Sequence, residues 1–515
     1  MRRLLATLFC MVCCWAAFAQ QHNQQQLEKL SQAFHYINNN YIDEIDLEPL
    51  VEEAIDAALK KLDPHSEYMT RDEFMAMNEG IKGEFSGIGT NIIALRDTII
   101  ISRILEDSPS ERAGLKKNDR ILSANGTSLV GVDRTKAVEL LRGAKSSTAT
   151  LSILRNGELI TKRVKRDDIP TNAIGAAFML DNDIAYVRVD SFLSKTTTEE
   201  FCDALKRLKA KPNAIIIDLR GNIGGLLTSA IQFSELFLDR GDIIVSVEGR
   251  KSNTTYQASK RGEYAEMPIA VLIDEQTASA SEIVAGALQD HDRATIIGRR
   301  SFGKGLVQRL VKFKDESGMR ITIARYKTPS GRTIQRPYTN GERDEYIADK
   351  ERYSRQDTTN IDESLIFTTL NQKRKVYGGG GISPDIYIEA DTASLHTFTH
   401  TLIANKILDE VIVRQFDLMP VDEFMKSYPT LNDFTEHFEL NDATIGHLIH
   451  LISEADPTAT DDAVGKGESI EIIKAQIAEE VYRKGSYYEL YGSKRDRVIR
   501  EAKADLVRKI WSLTK

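Results

Sequence analysis

The sequence predicts an α/β protein with a small β-rich unit inserted towards its front and helical segments at both ends. Three observations carry this. From Asp183 onward, strand-like apolar runs alternate with helix-like stretches, the pattern of a layered α/β core. Ala214-Ile215-Ile216-Ile217-Asp218-Leu219 is almost continuously apolar, as expected of a strand covered on both faces. Between Gly83 and Arg166 the runs are short and punctuated by Asn125-Gly126 and Asn156-Gly157, both hairpin-type turns.

Taken in order, residues 1–19 read as a secretory signal. Arg2-Arg3 supply positive charge, Leu4 to Trp15 the apolar stretch, and Ala17-Phe18-Ala19 a small-x-small cleavage site. The apolar run falls short of the ~20 residues a membrane anchor needs. Residues 20–82 are expected to be helical, with Leu27, Leu30, Phe34 and Ile37, then Leu50, Ile55, Leu59 and Leu62, at three- and four-residue steps. Leu62-Asp63-Pro64-His65-Ser66 marks a turn. The β-rich unit spans 83–166, with one helical stretch from Asp133 to Leu141.

In the α/β region, 167–392, the expected strands are Asp183–Val189, Ala214–Leu219, Ile243–Val247, Ile269–Ile273, Thr295–Gly298 and Arg320–Tyr326. Helices are expected over Thr196–Lys209 and Leu226–Leu238, with another opening near Ser279. Residues 393–515 turn helical and polar, ending in an amphipathic stretch from Tyr488 to Leu513. Charge runs such as Lys494-Arg495-Asp496-Arg497 read as solvated faces. At 515 residues the chain exceeds what a single core holds.

Composition excludes some classes. A net charge of −8 argues against a nucleic-acid binder that works through a basic field. Three of the four cysteines (Cys10, Cys13, Cys14) crowd the leader, so no zinc spacing appears, and no metal or cofactor is implied. Removal of the leader leaves Cys202 alone, unable to form an internal disulfide and expected to be buried.

Three segments carry chemistry. Asp218-Leu219-Arg220-Gly221-Asn222-Ile223-Gly224-Gly225 follows a buried strand, and its paired glycines let backbone N–H groups approach a ligand. The plainer reading is a strand-to-helix turn that needs glycine anyway. Thr277-Ala278-Ser279-Ala280-Ser281-Glu282-Ile283 puts a serine among small residues at a helix start, where it is either a nucleophile or an ordinary N-cap. Ser301-Phe302-Gly303-Lys304-Gly305-Leu306-Val307-Gln308 holds a lysine between glycines. It is a surface charge unless the fold buries it, in which case it loses its proton near neutrality and becomes a base. No Ser-His-Asp arrangement is evident, and only His291 lies near these segments.

Together these segments resemble the carboxyl-terminal processing peptidases, or tail-specific proteases, over nearly the whole span from Leu62 to Glu389. The resemblance includes the Leu62–Ser66 turn, Tyr326-Lys327-Thr328-Pro329-Ser330-Gly331-Arg332 and Gly378-Gly379-Gly380-Gly381-Ile382-Ser383-Pro384-Asp385. It implies a ClpP/crotonase-like protease core with an inserted PDZ domain and helical N- and C-terminal segments. It implies Ser279 as nucleophile, Lys304 as general base and Gln308, one helical turn further on, as the residue orienting that base. The oxyanion donors implied are Ala280 and the Gly-Gly turn, Gly225 in preference to Gly224. Ile223 departs from the family pattern, in which proline precedes the two glycines.

For 83–166 the resemblance implies a PDZ domain. Phe85, Ser86, Gly87, Ile88 and Gly89 match its carboxylate-binding loop, and apolar side chains near Ile88 and Ile92 favour a polypeptide ending in an apolar residue. A plain structural cap is the alternative. Arg142 matches the arginine that family members use as a switch. The terminal helical segments are candidates for a homodimer interface, and any regulatory partner is unidentified. Export to a bacterial periplasm or the cell exterior follows from the leader. Two rival classes are a catalytically silent peptide-binding scaffold and an acyl-CoA-handling enzyme on a crotonase-like fold.

Overall fold

The computed structural model describes residues 23–181, 183–251, 253–348, 362–389 and 396–513. The expected signal at 1–19 lies outside the described residues.

The α/β core is built on a six-stranded sheet. Its order is Ile174–Leu180, Ile184–Val189, Ala214–Asp218, Ile269–Ile273, Thr295–Gly298 and Ile386–Tyr387. The first pair is antiparallel and the rest are parallel. Alternation explains why Ala214–Asp218 is apolar throughout: Ile215 and Ile217 face one layer, Ala214 and Ile216 the other. The first layer holds helices Thr197–Lys206, Leu227–Glu235 and Ala280–Asp290. The opposite face is covered by helix Arg497–Leu513, which buries Val498, Ile499, Ala502 and Leu506 there.

A second sheet lies over the site. It joins Glu67–Met69, Gly318–Lys327, Ile243–Gly249 and Asn253–Gln257, with Leu306–Lys312 pairing to Gly318–Lys327. The strand Glu67–Met69 was not evident from the sequence, because three residues are too few to show a period. Helix Arg71–Lys82 follows it, opened by a Thr70–Glu73 capping box and closed by Gly83 in the left-handed region.

From there the chain enters the unit expected to be a PDZ domain, through a two-stranded neck, Glu84–Gly87 against Asp167–Pro170. Its sheet runs Thr90–Leu95, Thr98–Ile104, Arg120–Ala124, Thr148–Arg155 and Glu158–Lys165, with Thr127–Ser128 pairing to Arg120–Ala124. Asn125-Gly126 and Asn156-Gly157 turn with positive φ at both positions, as type I′ hairpins require. Helix Arg134–Leu141, capped by Asp133, packs beside Thr90–Leu95.

The helices between Thr397 and Val481 enclose an aromatic cluster of Phe416, Phe424, Phe434 and Phe438. This helical domain docks on the PDZ unit through ion pairs. Arg96 meets Glu410 at 2.6 Å, Arg120 meets both oxygens of Asp417 at 2.7 and 2.8 Å, and Lys117 pairs with Glu480. The amphipathic stretch Tyr488–Leu513 is interrupted at Asp496, where helix Arg497–Leu513 begins. That aspartate is no solvated charge: it accepts from Val498 and Ile499 N–H and pairs with Arg220 at 2.8 Å. Cys202 is partly rather than fully buried, against the main core. At the front, helix 23–40 leaves Leu27, Leu30 and Tyr36 exposed.

Candidate active site

The glycine loop is held rigidly from below. Asp218, fully buried, receives Tyr186 Oη at 2.6 Å and the Arg220 guanidinium at 2.6 Å, and accepts from Arg220 N–H at 2.9 Å. Asn222 donates to Val189 O at 2.8 Å and accepts from Gly224 N–H at 2.9 Å, so the Gly224 N–H is occupied. Phe192 N–H donates to Gly224 O, and Leu226 N–H returns a bond to Phe192 O. This leaves the Gly225 N–H with no partner among the described residues. Glycine is required there: φ is +154°, and a Cβ would lie 2.2 Å from the Phe192 carbonyl carbon. Ile223, in place of the expected proline, is 71 % exposed and lines the adjoining cavity.

Ser279 stands between strand Ile269–Ile273 and helix Ala280–Asp290 with φ +57° and ψ −115°, a conformation costly for a side-chain-bearing residue. The turn is pinned to the glycine loop by Ala278 N–H and Ser281 Oγ, both donating to Asn222 O, and by Thr277 Oγ1 donating to Leu219 O. Ala280 N–H, at the first position of the helix, has no partner among the described residues.

Lys304 lies in the loop before strand Leu306–Lys312 and is largely buried. Burial, reinforced by the nearby Arg320 charge, pulls its pKa down to about 8. Its Nζ donates to Gln308 Oε1 at 2.8 Å, and Gln308 Nε2 donates to His65 O at 2.8 Å. The expected helical turn between Lys304 and Gln308 is absent. Gln308 is on a strand, and a bulge between Val307 and Gln308 resets its side chain towards the lysine. The Asp63 carboxylate accepts from His65 and Ser66 N–H and from Ser66 Oγ, shaping the turn that presents the His65 carbonyl. His65 itself is pushed down to about 3 by burial and the Lys304 charge, and stays neutral.

Ser279, Ala280, Gly224, Gly225, Lys304 and Gln308 all line one cavity of about 250 Å³. Its remaining walls are mostly apolar, with Leu226, Ile283 and Leu306 from the core and Met77 and Ile81 from helix Arg71–Lys82. The cavity therefore presents the Ser279 hydroxyl, one amine that is partly neutral near pH 8, the Arg320 guanidinium, and two open N–H groups beside an apolar recess.

Two residues important to this geometry escaped the sequence reading. Glu282, fully buried, accepts from Ser279 N–H at 2.7 Å, Gly303 N–H at 2.7 Å, Lys304 N–H at 2.8 Å and Ser301 Oγ at 2.5 Å. Burial holds its pKa above the usual carboxylate range. Tyr326 Oη lies 3.1 Å from Ser279 O and 2.9 Å from Lys304 O. Both residues occur inside the quoted motifs; Glu282, a carboxylate in an otherwise small and apolar run, carried a signal, whereas Tyr326, between Arg325 and Lys327, carried none.

In the PDZ unit, Phe85, Ser86 and Gly87 belong to the neck strand, while Ile88 and Gly89 form the turn into Thr90–Leu95. The N–H groups of Ile88 and Gly89 have no partner among the described residues, whereas their carbonyls accept from Ser110 and Leu105 N–H. A Cβ on Gly89 would come within 2.4 Å of Ser108, so glycine is required at φ +78°. Arg142 sits 5.3 Å above the Phe85 ring and 3.4 Å from Glu79. It contacts the helix that supplies Met77 and Ile81 rather than the cavity itself.

The sequence profile of Peptidase family S41 matches residues 183–341, that of the PDZ domain residues 77–154, and that of the activating protease CtpB N-terminal domain residues 15–73. A carboxy-terminal-processing protease of Bartonella bacilliformis is 38 % identical over 325 residues, covering 61 % of this chain and 74 % of that protein. The carboxy-terminal processing protease CtpA of Bacillus subtilis is 35 % identical over 314 residues, 60 % of this chain and 67 % of that protein. Among solved structures, the photosystem II D1 C-terminal processing protease aligns over 71 % of this chain and 88 % of its own, with 25 % identity and a TM-score of 0.37.

Proposed function

We propose, from the premise that this chain belongs to the carboxy-terminal-processing serine proteases of peptidase family S41, that it cuts polypeptides near their C-termini with a serine–lysine pair. Ser279 is the nucleophile and Lys304 the general base. The observation that carries this reading is the shared cavity: a serine, a lysine whose pKa is held near 8, and two unpartnered N–H groups on its wall. Neutral Lys304 takes the hydroxyl proton as Ser279 Oγ attacks the scissile carbonyl. The N–H groups of Ala280 and Gly225 receive the oxyanion, each worth about 3–4 kcal/mol by the scale of such donors. Lys304 then passes its proton to the leaving amine, and water releases the acyl-enzyme. Gln308 keeps the amine directed, through its own tether to His65 O.

The PDZ unit takes the substrate C-terminus on the Ile88 and Gly89 N–H groups, with an apolar last residue against Ile88 and Ile92. Features of residues 1–19 support export. The exposed Leu27, Leu30 and Tyr36 of helix 23–40 support a second copy of the chain as their cover.

The test uses protein lacking residues 1–19, beside Ser279→Ala and Lys304→Ala variants, with an unfolded protein ending in apolar residues as substrate and fragments read by mass spectrometry. Cleavage by the parent and by neither variant is expected. Cleavage by all three would remove Ser279 and Lys304 from the mechanism. Binding without cleavage by the parent would favour the peptide-binding scaffold.

A further inference from the structure

The PDZ sheet has an open edge. Among the described residues strand Thr90–Leu95 pairs only with Thr98–Ile104, and the other side of its backbone faces helix Arg134–Leu141. Which groups face outward follows from the pairing. Ile101, the partner of Ile92, sends its N–H to Asp119 O on the far side at 2.9 Å. Ile92 and Ile101 are therefore a non-hydrogen-bonded pair, and the N–H and C=O of Ile92 point into the open groove.

That carbonyl is occupied. Arg134, the first residue of the flanking helix, donates its Nε to Ile92 O at 3.1 Å. Its guanidinium has no acidic partner among the described residues. The nearby carboxylates are otherwise engaged, Asp133 capping Lys136 N–H and Glu139 pairing with Lys136 at 2.7 Å. An unneutralised arginine thus covers the backbone acceptor that an incoming strand must use.

We infer that Arg134 makes the groove selective for polypeptide C-termini that carry an acidic side chain a few residues before an apolar end. This rests on the reading that the PDZ unit takes the substrate C-terminus. A peptide adding to the edge needs its own N–H on Ile92 O, so it lifts Arg134 off that carbonyl. The released guanidinium then lies beside the peptide, where a carboxylate satisfies both its charge and its fork of donors. With the terminal carboxylate at Ile88–Gly89, the last residue lies opposite Thr90, and antiparallel pairing one for one puts the residue two before the last opposite Ile92. A basic side chain at that place meets like charge.

The experiment is fluorescence anisotropy on the chain lacking residues 1–19 and carrying Ser279→Ala, so that ligand is not cut. The probes are labelled ten-residue peptides with an apolar last residue and Glu, Gln or Lys placed in turn at each of the six preceding positions. Expected is a preference of about tenfold for Glu over Lys, confined to positions near the second before the last. Arg134→Gln, at an exposed site, should abolish the preference while peptides still bind, and Arg134→Glu should reverse it. Peptides that bind with a flat Glu–Lys profile, or a preference unchanged in Arg134→Gln, would overturn the inference alone. If no peptide binds at all, the C-terminus-binding reading falls and the inference with it.

Discussion

The backbone N–H groups of Ser279 and Lys304 donate to one oxygen, Oε2 of Glu282, at 2.7 and 2.8 Å. Their carbonyls in turn lie within hydrogen-bond reach of one hydroxyl, that of Tyr326. The two residues are thus held to each other through main chain, leaving the hydroxyl and amine unencumbered by the tether. Glu282→Gln keeps the shape but turns one acceptor oxygen into a donor facing N–H groups. A fall in kcat with little change in KM is expected, together with a loss of about 1–3 kcal/mol in stability. Steady-state kinetics and denaturant unfolding check the two parts.

Ser279 itself is strained. Glycine adopts φ +57°, ψ −115° readily, so Ser279→Gly should be inactive and yet more stable by about 1–2 kcal/mol. Calorimetry would register this as a raised Tm; a lowered Tm would mean that the serine side chain contributes more packing than strain.

Burial lowers the Lys304 pKa in the folded chain to about 8, against an ordinary 10.5. Below pH 8 the buried amine is charged, which costs the fold of order 3 kcal/mol relative to the unfolded chain. Between pH 8 and 10.5 the unfolded chain binds more protons, so that cost disappears as pH rises. Lys304→Met should therefore stabilise the protein at pH 6–7 and lose this advantage above pH 10.5, as read by urea unfolding across pH. Activity of the parent should climb with pH through about 8, tenfold per unit below it.

Gln308→Glu places a carboxylate where Lys304 Nζ now meets a neutral oxygen. The ammonium form is then favoured, and the activity midpoint should move up by a unit or more, with about a tenfold loss at pH 7. A midpoint that stays in place would show that the lysine does not govern the profile.

Much of this was legible beforehand because it is local. Ser279, Lys304 and the glycine pair each sit in a short run whose small residues permit close approach, and the apolar strand Ala214–Asp218 declares a sheet covered twice. What was not legible is contact at long separation. Nothing near Gln308 indicates that a carbonyl 243 residues earlier accepts its amide, and the Asp63 turn reads simply as a turn. The four-residue step from Lys304 to Gln308 matched a helical turn, yet a strand bulge produced the same meeting. Asp496, placed among charges, gave no sign of its partner Arg220 on the glycine loop.

The seam between the PDZ unit and the helical domain is also testable. Arg120 and Asp417 form a two-bonded pair that is only partly exposed. Arg120→Asp should loosen the PDZ unit, seen as faster hydrogen exchange or proteolysis around Gly83 and Thr171. The charge-swapped pair Arg120→Asp with Asp417→Arg should restore most of the protection, with a coupling of about 1 kcal/mol.

Helix Arg497–Leu513 closes the second face of the central sheet, yet it is made long after the strands it covers. Until it docks, Phe178, Ile184, Ile216 and Leu272 have no lid, so the sheet stays sticky and incompletely packed. A proteolytic centre assembled on that sheet consequently gains its final rigidity only once this helix has docked, which delays the onset of cutting until the far end of the chain has folded onto it.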